Sequence, residues 1–125
     1  MTVSLNQIRQ IAIPVHDLEF SVAFYRDALG MKFLFEAPPQ LAFFDCGGIR
    51  IMLDVPEGEQ FGNHSSVIYF KVDDIQATFK ELVEKGVKTV GEPHMIAKMP
   101  DHDLWLSEFR DPDDNILALM CEVPN

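Results

Sequence analysis

VHDLEFSVAFYRDALG, residues 15–30, contains a complete helix start and stop. Asp17 has the short acceptor side chain an N-cap needs. Leu18, Val22, Tyr25 and Leu29 follow at helical spacing, and Gly30 closes the run. Just upstream, Ile11, Ile13 and Val15 alternate with Gln10, Ala12 and Pro14, the period of two of a strand with one buried face. The spacing predicts a strand over Ile8–Val15 and a helix opening at Asp17. Three short runs follow, Met31–Glu36, Leu41–Cys46 and Ile49–Val55, punctuated by Pro38-Pro39 and Gly47-Gly48. A Gly-Gly connection favours a tight hairpin between the last two. The order is β-α-β-β-β.

Residues 56–65, PEGEQFGNHS, are polar and aperiodic and read as a linker. The same order then returns. VDDIQAT (Val72–Thr78) repeats VHDLEFS (Val15–Ser21) 57 positions on, and DPDDNILAL (Asp111–Leu119) repeats DCGGIRIML (Asp45–Leu53) 66 positions on. About nine extra residues therefore lie between helix and last strand in the second copy. Its expected elements are a strand over Val67–Val72 and a helix capped by Asp73 or Asp74. That helix carries Ile75, Phe79, Leu82 and Val83 and ends at Gly86. Runs Val87–Met99, Leu104–Arg110 and Ile116–Val123 come next, with a break at Gly91-Glu92-Pro93 and turns at Pro100–Asp103 and Asp111–Asn115. Units this small cannot bury both faces of a sheet alone, so the face away from each helix must meet something else.

The chain has 125 residues, enough for one domain of two modules, about 7–55 and 66–123. With 47% apolar and 24% charged residues, it is not a disordered sequence. A net charge of −10 without any Lys/Arg run disfavours nucleic acid and anionic membranes as partners. No apolar run approaches the roughly 18 residues of a spanning helix, and the start lacks a signal-like core; a cytoplasmic protein is expected. Cys46 and Cys121 are too few for a disulfide framework and read as buried structural thiols.

The pattern VxDLxxSxxFYRDxLG at 15–30, the VDDI cap and the late FRDPDDN hairpin with ILAL resemble the vicinal oxygen chelate superfamily. That superfamily includes glyoxalase I, bleomycin-resistance proteins, extradiol dioxygenases and methylmalonyl-CoA epimerase. The resemblance spans about residues 7–122. It implies an α+β fold in which two βαβββ modules, related by a pseudo-twofold axis, form a cupped mixed sheet with helices outside. It also implies a ligand in the cup and a homodimer. In the metal-dependent branch, His or Gln, Glu, His and Glu ligate the ion; the corresponding positions here are Gln10, Met52, Val67 and Ala118. One amide, a thioether and two aliphatic groups do not make a site for a hard divalent ion. No metal or other cofactor is expected. Of the histidines, His16 sits at the helix start, His64 in the linker and His102 in a turn, leaving His94 as the one with a route to a cavity.

Strand alternation then gives the cup lining: Gln10, Ala12, Arg50, Met52, Val67, Tyr69, Ala118 and Met120, with Lys71 and Asp54 nearer the rim. Apolar walls with a few polar groups suit a small-molecule pocket, while small residues such as Ala12 and Ala118 would equally let the space fill. Tyr69 is suited to bonding a ligand or reaching the rim. Arg50 is suited to clamping a carboxylate or pairing with Asp54 or a nearby Glu. Trp105 would wall the pocket or a subunit contact. The expected function is binding of a small apolar or aromatic molecule, as in the bleomycin-resistance branch. The alternative is an enzyme, a lyase, isomerase or dioxygenase with a nonstandard metal site, or an acid-base catalyst using Tyr69 and Arg50.

Overall fold

The computed structural model describes residues 3–56 and 66–124, and the chain divides into two compact units, Met1–Gly62 and Asn63–Asn125. The stretch 57–65, most of the expected linker and His64 with it, lies outside the described residues.

In the first unit, β1 (Gln10–Pro14) leads into α1 (Leu18–Ala23), followed by β2 (Lys32–Ala37), β3 (Leu41–Cys46) and β4 (Ile49–Asp54). The sheet order is β1-β4-β3-β2, with β1 parallel to β4 and the other pairs antiparallel. Asp17 is the N-cap: its backbone is extended and its carboxylate accepts from the Phe20 N–H at 3.0 Å. The helix is shorter than the Leu18–Leu29 spacing suggests. After Ala23 the chain widens into a π-helical turn, Phe24–Ala28, closed by Leu29 N–H donating to the Phe24 carbonyl at 3.1 Å. That turn leaves Tyr25 wholly buried, its ring 6.0 Å from Phe44. Ile13, Val15, Val22, Phe44, Ile51 and Leu53 are buried with it. The Gly47-Gly48 turn has φ of +62° and +92°, the positive values that match hairpin twist.

In the second unit, β5 (Ile68–Lys71) leads into α2 (Ile75–Glu84), then β6 (Lys88–Lys98), β7 (His102–Arg110) and β8 (Ile116–Pro124), in sheet order β5-β8-β7-β6. Asp74 is the cap, not Asp73: its carboxylate accepts from the Ala77 N–H at 3.1 Å. Ile75 and Leu82 of α2 are buried, as are Phe109, Leu117 and Leu119 of the sheet.

Strand register repeats between the units. Ile11↔Ile51, Ala12↔Met52 and Ile13↔Leu53 in the first become Ile68↔Leu117, Tyr69↔Ala118 and Phe70↔Leu119 in the second. The β1 positions recur 57 residues later and the β4 positions 66 later, the two offsets read from the sequence. One sequence equivalence shifts by a residue. Asp45 pairs with Arg50 and Arg110 pairs with Ile116, so Asp45 corresponds to Arg110 and not to Asp111. The second turn is simply one residue longer.

The rest of the extra length lies in the β6–β7 hairpin, nine residues longer than its counterpart and offset by one residue fewer between the helix cap and β6. Eleven positions separate the partners Phe33 and Phe44, whereas twenty separate Thr89 and Phe109. The expected break at Gly91-Glu92-Pro93 is not an interruption. β6 runs through it, but pairing lapses between Val90↔Glu108 and His94↔Leu106, since Pro93 has no N–H to donate. The expected turn at Pro100–Asp103 is also tighter: Met99 N–H donates to the His102 carbonyl at 2.8 Å, which places His102 and Asp103 in β7.

Candidate functional site

Residues directly opposite across a ladder share a face. In the first unit one face carries Phe33, Phe44, Ile51 and Ile11, packed towards Tyr25 and α1. The other face carries the rows Gln10, Arg50, Asp45, Lys32 and Ala12, Met52, Phe43, Phe35. Gln10, Ala12, Arg50 and Met52 thus share the face away from the helix. Phe43 is its centre. Its ring lies 4.8 Å from that of Phe35, and the Arg50 guanidinium sits 5.6 Å above the ring centroid. Arg50 makes no ion pair among the described residues; its position is set by the aromatic ring and not by Asp54. Gln10 donates its amide to Met52 Sδ at 3.7 Å. Phe35 is 47% exposed and Met52 half-buried, so the patch offers an aromatic and thioether surface beside one guanidinium and one amide.

In the second unit, Tyr69, Ala118 and Glu108 form one row, and Lys71, Met120 and Leu106 the next. Tyr69 is half exposed; Ala118 is wholly buried and offers no free surface. Val67 lies just before β5, half-buried. His94 pairs with Leu106, is exposed, and its Nδ1 lies 3.0 Å from the Glu92 carbonyl. Trp105 is on the opposite face, in one row with Met95 and Cys121, on the α2 side of the sheet.

The residues present do not fit the family's metal. The Gln10 amide is turned to a thioether, and Val67 and Ala118 carry no donor atoms. No three His, Cys, Asp or Glu side chains are grouped to hold an ion among the described residues.

Two motifs prominent in the sequence are architectural. Buried Asp111 accepts from Asp113 N–H and Asn115 N–H, both at 2.9 Å, and from Asn115 Nδ2 at 2.8 Å, tying the DPDDN turn. Asp114 takes φ +63° there, its carbonyl accepting from Arg110 and its carboxylate pairing with Lys88 at 3.2 Å. Burial, with Asp45 beside it, pushes the Cys46 thiol up, away from the reactive thiolate. Sequence reasoning missed a hollow of about 700 Å³ between the start of α1 and the β2–β3 turn, around His16, Glu19, Glu36 and Pro39. Only the Pro38-Pro39 punctuation hinted at it. No helix among the described residues is long and apolar enough to cross a membrane.

A sequence profile of the Glyoxalase/Bleomycin resistance protein/Dioxygenase superfamily matches residues 7–119. An uncharacterized protein of Bacillus subtilis (strain 168), YraH, is 34% identical over 129 residues, covering 90% of this chain and 96% of its own. Among solved structures, TnmS3, an antibiotic binding protein from Streptomyces sp. CB03234, matches at a TM-score of 0.75 and 22% identity over 99% of this chain and 100% of its own. Lactoylglutathione lyase from Agrobacterium tumefaciens matches at a TM-score of 0.72 and 22% identity over 92% of each chain. One of these is a binder and the other an enzyme, and at such identity the likeness is one of fold.

Proposed function

The chain belongs to the Glyoxalase/Bleomycin resistance protein/Dioxygenase superfamily, and on that premise we propose that it binds a small apolar or aromatic molecule without a metal. The observation that carries this reading is the Phe35–Phe43–Arg50 stack with Met52 and Gln10 alongside, on the sheet face turned away from α1. A flat ligand lies on Phe35 and Met52, beside the Phe43 ring that Arg50 covers. The adaptable thioether conforms to its outline, and Arg50 orients a carboxylate or carbonyl at its edge. The apolar replacements at the family's ligand positions favour binding over metal-assisted chemistry. The antibiotic-binding neighbour of the same fold supports this reading.

The test uses 2-naphthoate as a planar anionic probe, followed by amide chemical shifts. Shifts centred on Phe43, Met52 and Arg50 are expected. Met52→Trp should abolish them with the fold intact, and Arg50→Ala should weaken binding about tenfold, the loss of one charge-assisted contact. Shifts unaffected by Met52→Trp would place the site elsewhere.

A further inference from the structure

The second unit has a cleft of about 390 Å³, lined by none of the residues of the Phe43 patch, between the end of β8 and the start of α2. Its walls are Trp105, Cys121, Val123 and Ile75, and its rim is Asp73, Asp74 and Gln76. The cleft follows from strand length. Val72 N–H donates to the Met120 carbonyl, the counterpart of Val15 donating to Asp54. β4 ends at that level, whereas β8 runs on to Pro124 and β7 starts far enough back to place Trp105 beside Cys121. The extra sheet projects past the helix, and its helix-side face is left partly open: Val123 is 40% exposed and Trp105 half-buried.

The charge around this apolar floor is one-sided. The Asp74 carboxylate already caps α2, which removes the helix terminus as an anion site. The Asp73 carbonyl accepts from Cys121 Sγ at 3.5 Å, while the Asp73 carboxylate has no partner among the described residues. An indole face beside an unpartnered carboxylate is the arrangement that attracts organic cations.

We propose that this cleft is a second binding site, for a small amphipathic organic cation: its apolar body rests on Trp105 and Val123 and its ammonium faces Asp73 at the rim. Its volume lies within the roughly 300–1,000 Å³ range of small-molecule pockets.

Trp105 is the only tryptophan in the chain, so intrinsic indole emission reports on this cleft alone. Phenethylammonium, neutral 2-phenylethanol and phenylacetate share one ring and differ in charge. Titration with phenethylammonium should change Trp105 emission saturably. The other two should bind about five- to tenfold more weakly or not at all, the loss of one partly exposed charge contact with indole and carboxylate. Added salt should weaken the cation's binding in the unmodified protein, and Asp73→Asn should weaken it about fivefold with circular dichroism unchanged. Equal responses to the three compounds, no saturable response, or indifference to both salt and Asp73→Asn would overturn the proposal. Val123→Arg, which places a cation over the floor, should abolish the response; retained binding would place the ligand elsewhere.

Discussion

The two units share one ladder and differ in what was added to it. Every β5–β8 pair of the second maps onto a β1–β4 pair of the first, and the aspartates Asp17 and Asp74 cap both helices by the same bond. What changes is the β6–β7 hairpin and the length of β8. The first unit keeps its distinctive chemistry on the face away from the helix, in the Phe35–Phe43–Arg50 stack. The second gains a hollow on the helix side, where its longer strands outrun α2. In a duplicated fold, the cores stay equivalent while insertions decide where open surface is left.

The strongest challenge to that equivalence is at its centre. Phe44 and Phe109 hold corresponding positions, opposite Ile51 and Leu117, at 0% and 2% exposure. Truncation of either to Ala should cost about 3–5 kcal/mol in chemical denaturation. Phe44→Ala should stand at the upper end, because it also loses ring contacts with Tyr25 and Phe33. A cost under about 1 kcal/mol at either would show that its unit has a different core.

The turns sharpen the contrast at a smaller scale. The first unit turns on two glycines, and the second on the carboxylate of Asp111. Asp111→Ala should destabilise by about 1–3 kcal/mol, because it strands the Asn115 amide and two N–H groups in or near the interior. Unchanged denaturation midpoints would show that the turn needs only its backbone.

The smallest effect belongs to the hairpin tip that only the second unit has. The His102 Nδ1 contact at 2.6 Å holds the Asp101 carboxyl below its usual value. A carboxylate lowered on folding contributes stability that is present above its unfolded pKa and lost as pH falls through the folded one. Asp101→Asn should therefore destabilise slightly near neutrality, with the difference from the unmodified protein vanishing in acid. A difference that grew in acid would reverse the assignment.

Much of this was legible in the chain. Apolar alternation at Ile11, Ile13 and Val15, the caps at Asp17 and Asp74 and the Gly-Gly turn are local signals whose physics acts over a few residues. The two offsets exposed the repeat because β1–β4 spacing is fixed by pairing. The face shared by Gln10, Ala12, Arg50 and Met52 followed from period two. Other features depended on distant partners. Arg50 found an aromatic ring where a carboxylate was the ordinary expectation, because Phe43 is its neighbour only across a ladder. Trp105 fell on the helix side because β7 pairs with β8 without a register shift, which keeps it in phase with buried Ser107 and Phe109. The π-helical turn after Ala23 likewise answers to packing around Tyr25 and not to propensity.

β6 is an edge of its own sheet, and it exposes Val90, Met95 and Ile96. A straight strand of that composition would be a ready template for stacking chain upon chain. Pro93 interrupts the row of donors, two register shifts bend the strand, and Lys88 and Lys98 stand charged at its ends. The irregularities that lengthen this hairpin therefore also guard its greasy margin against runaway strand-to-strand association.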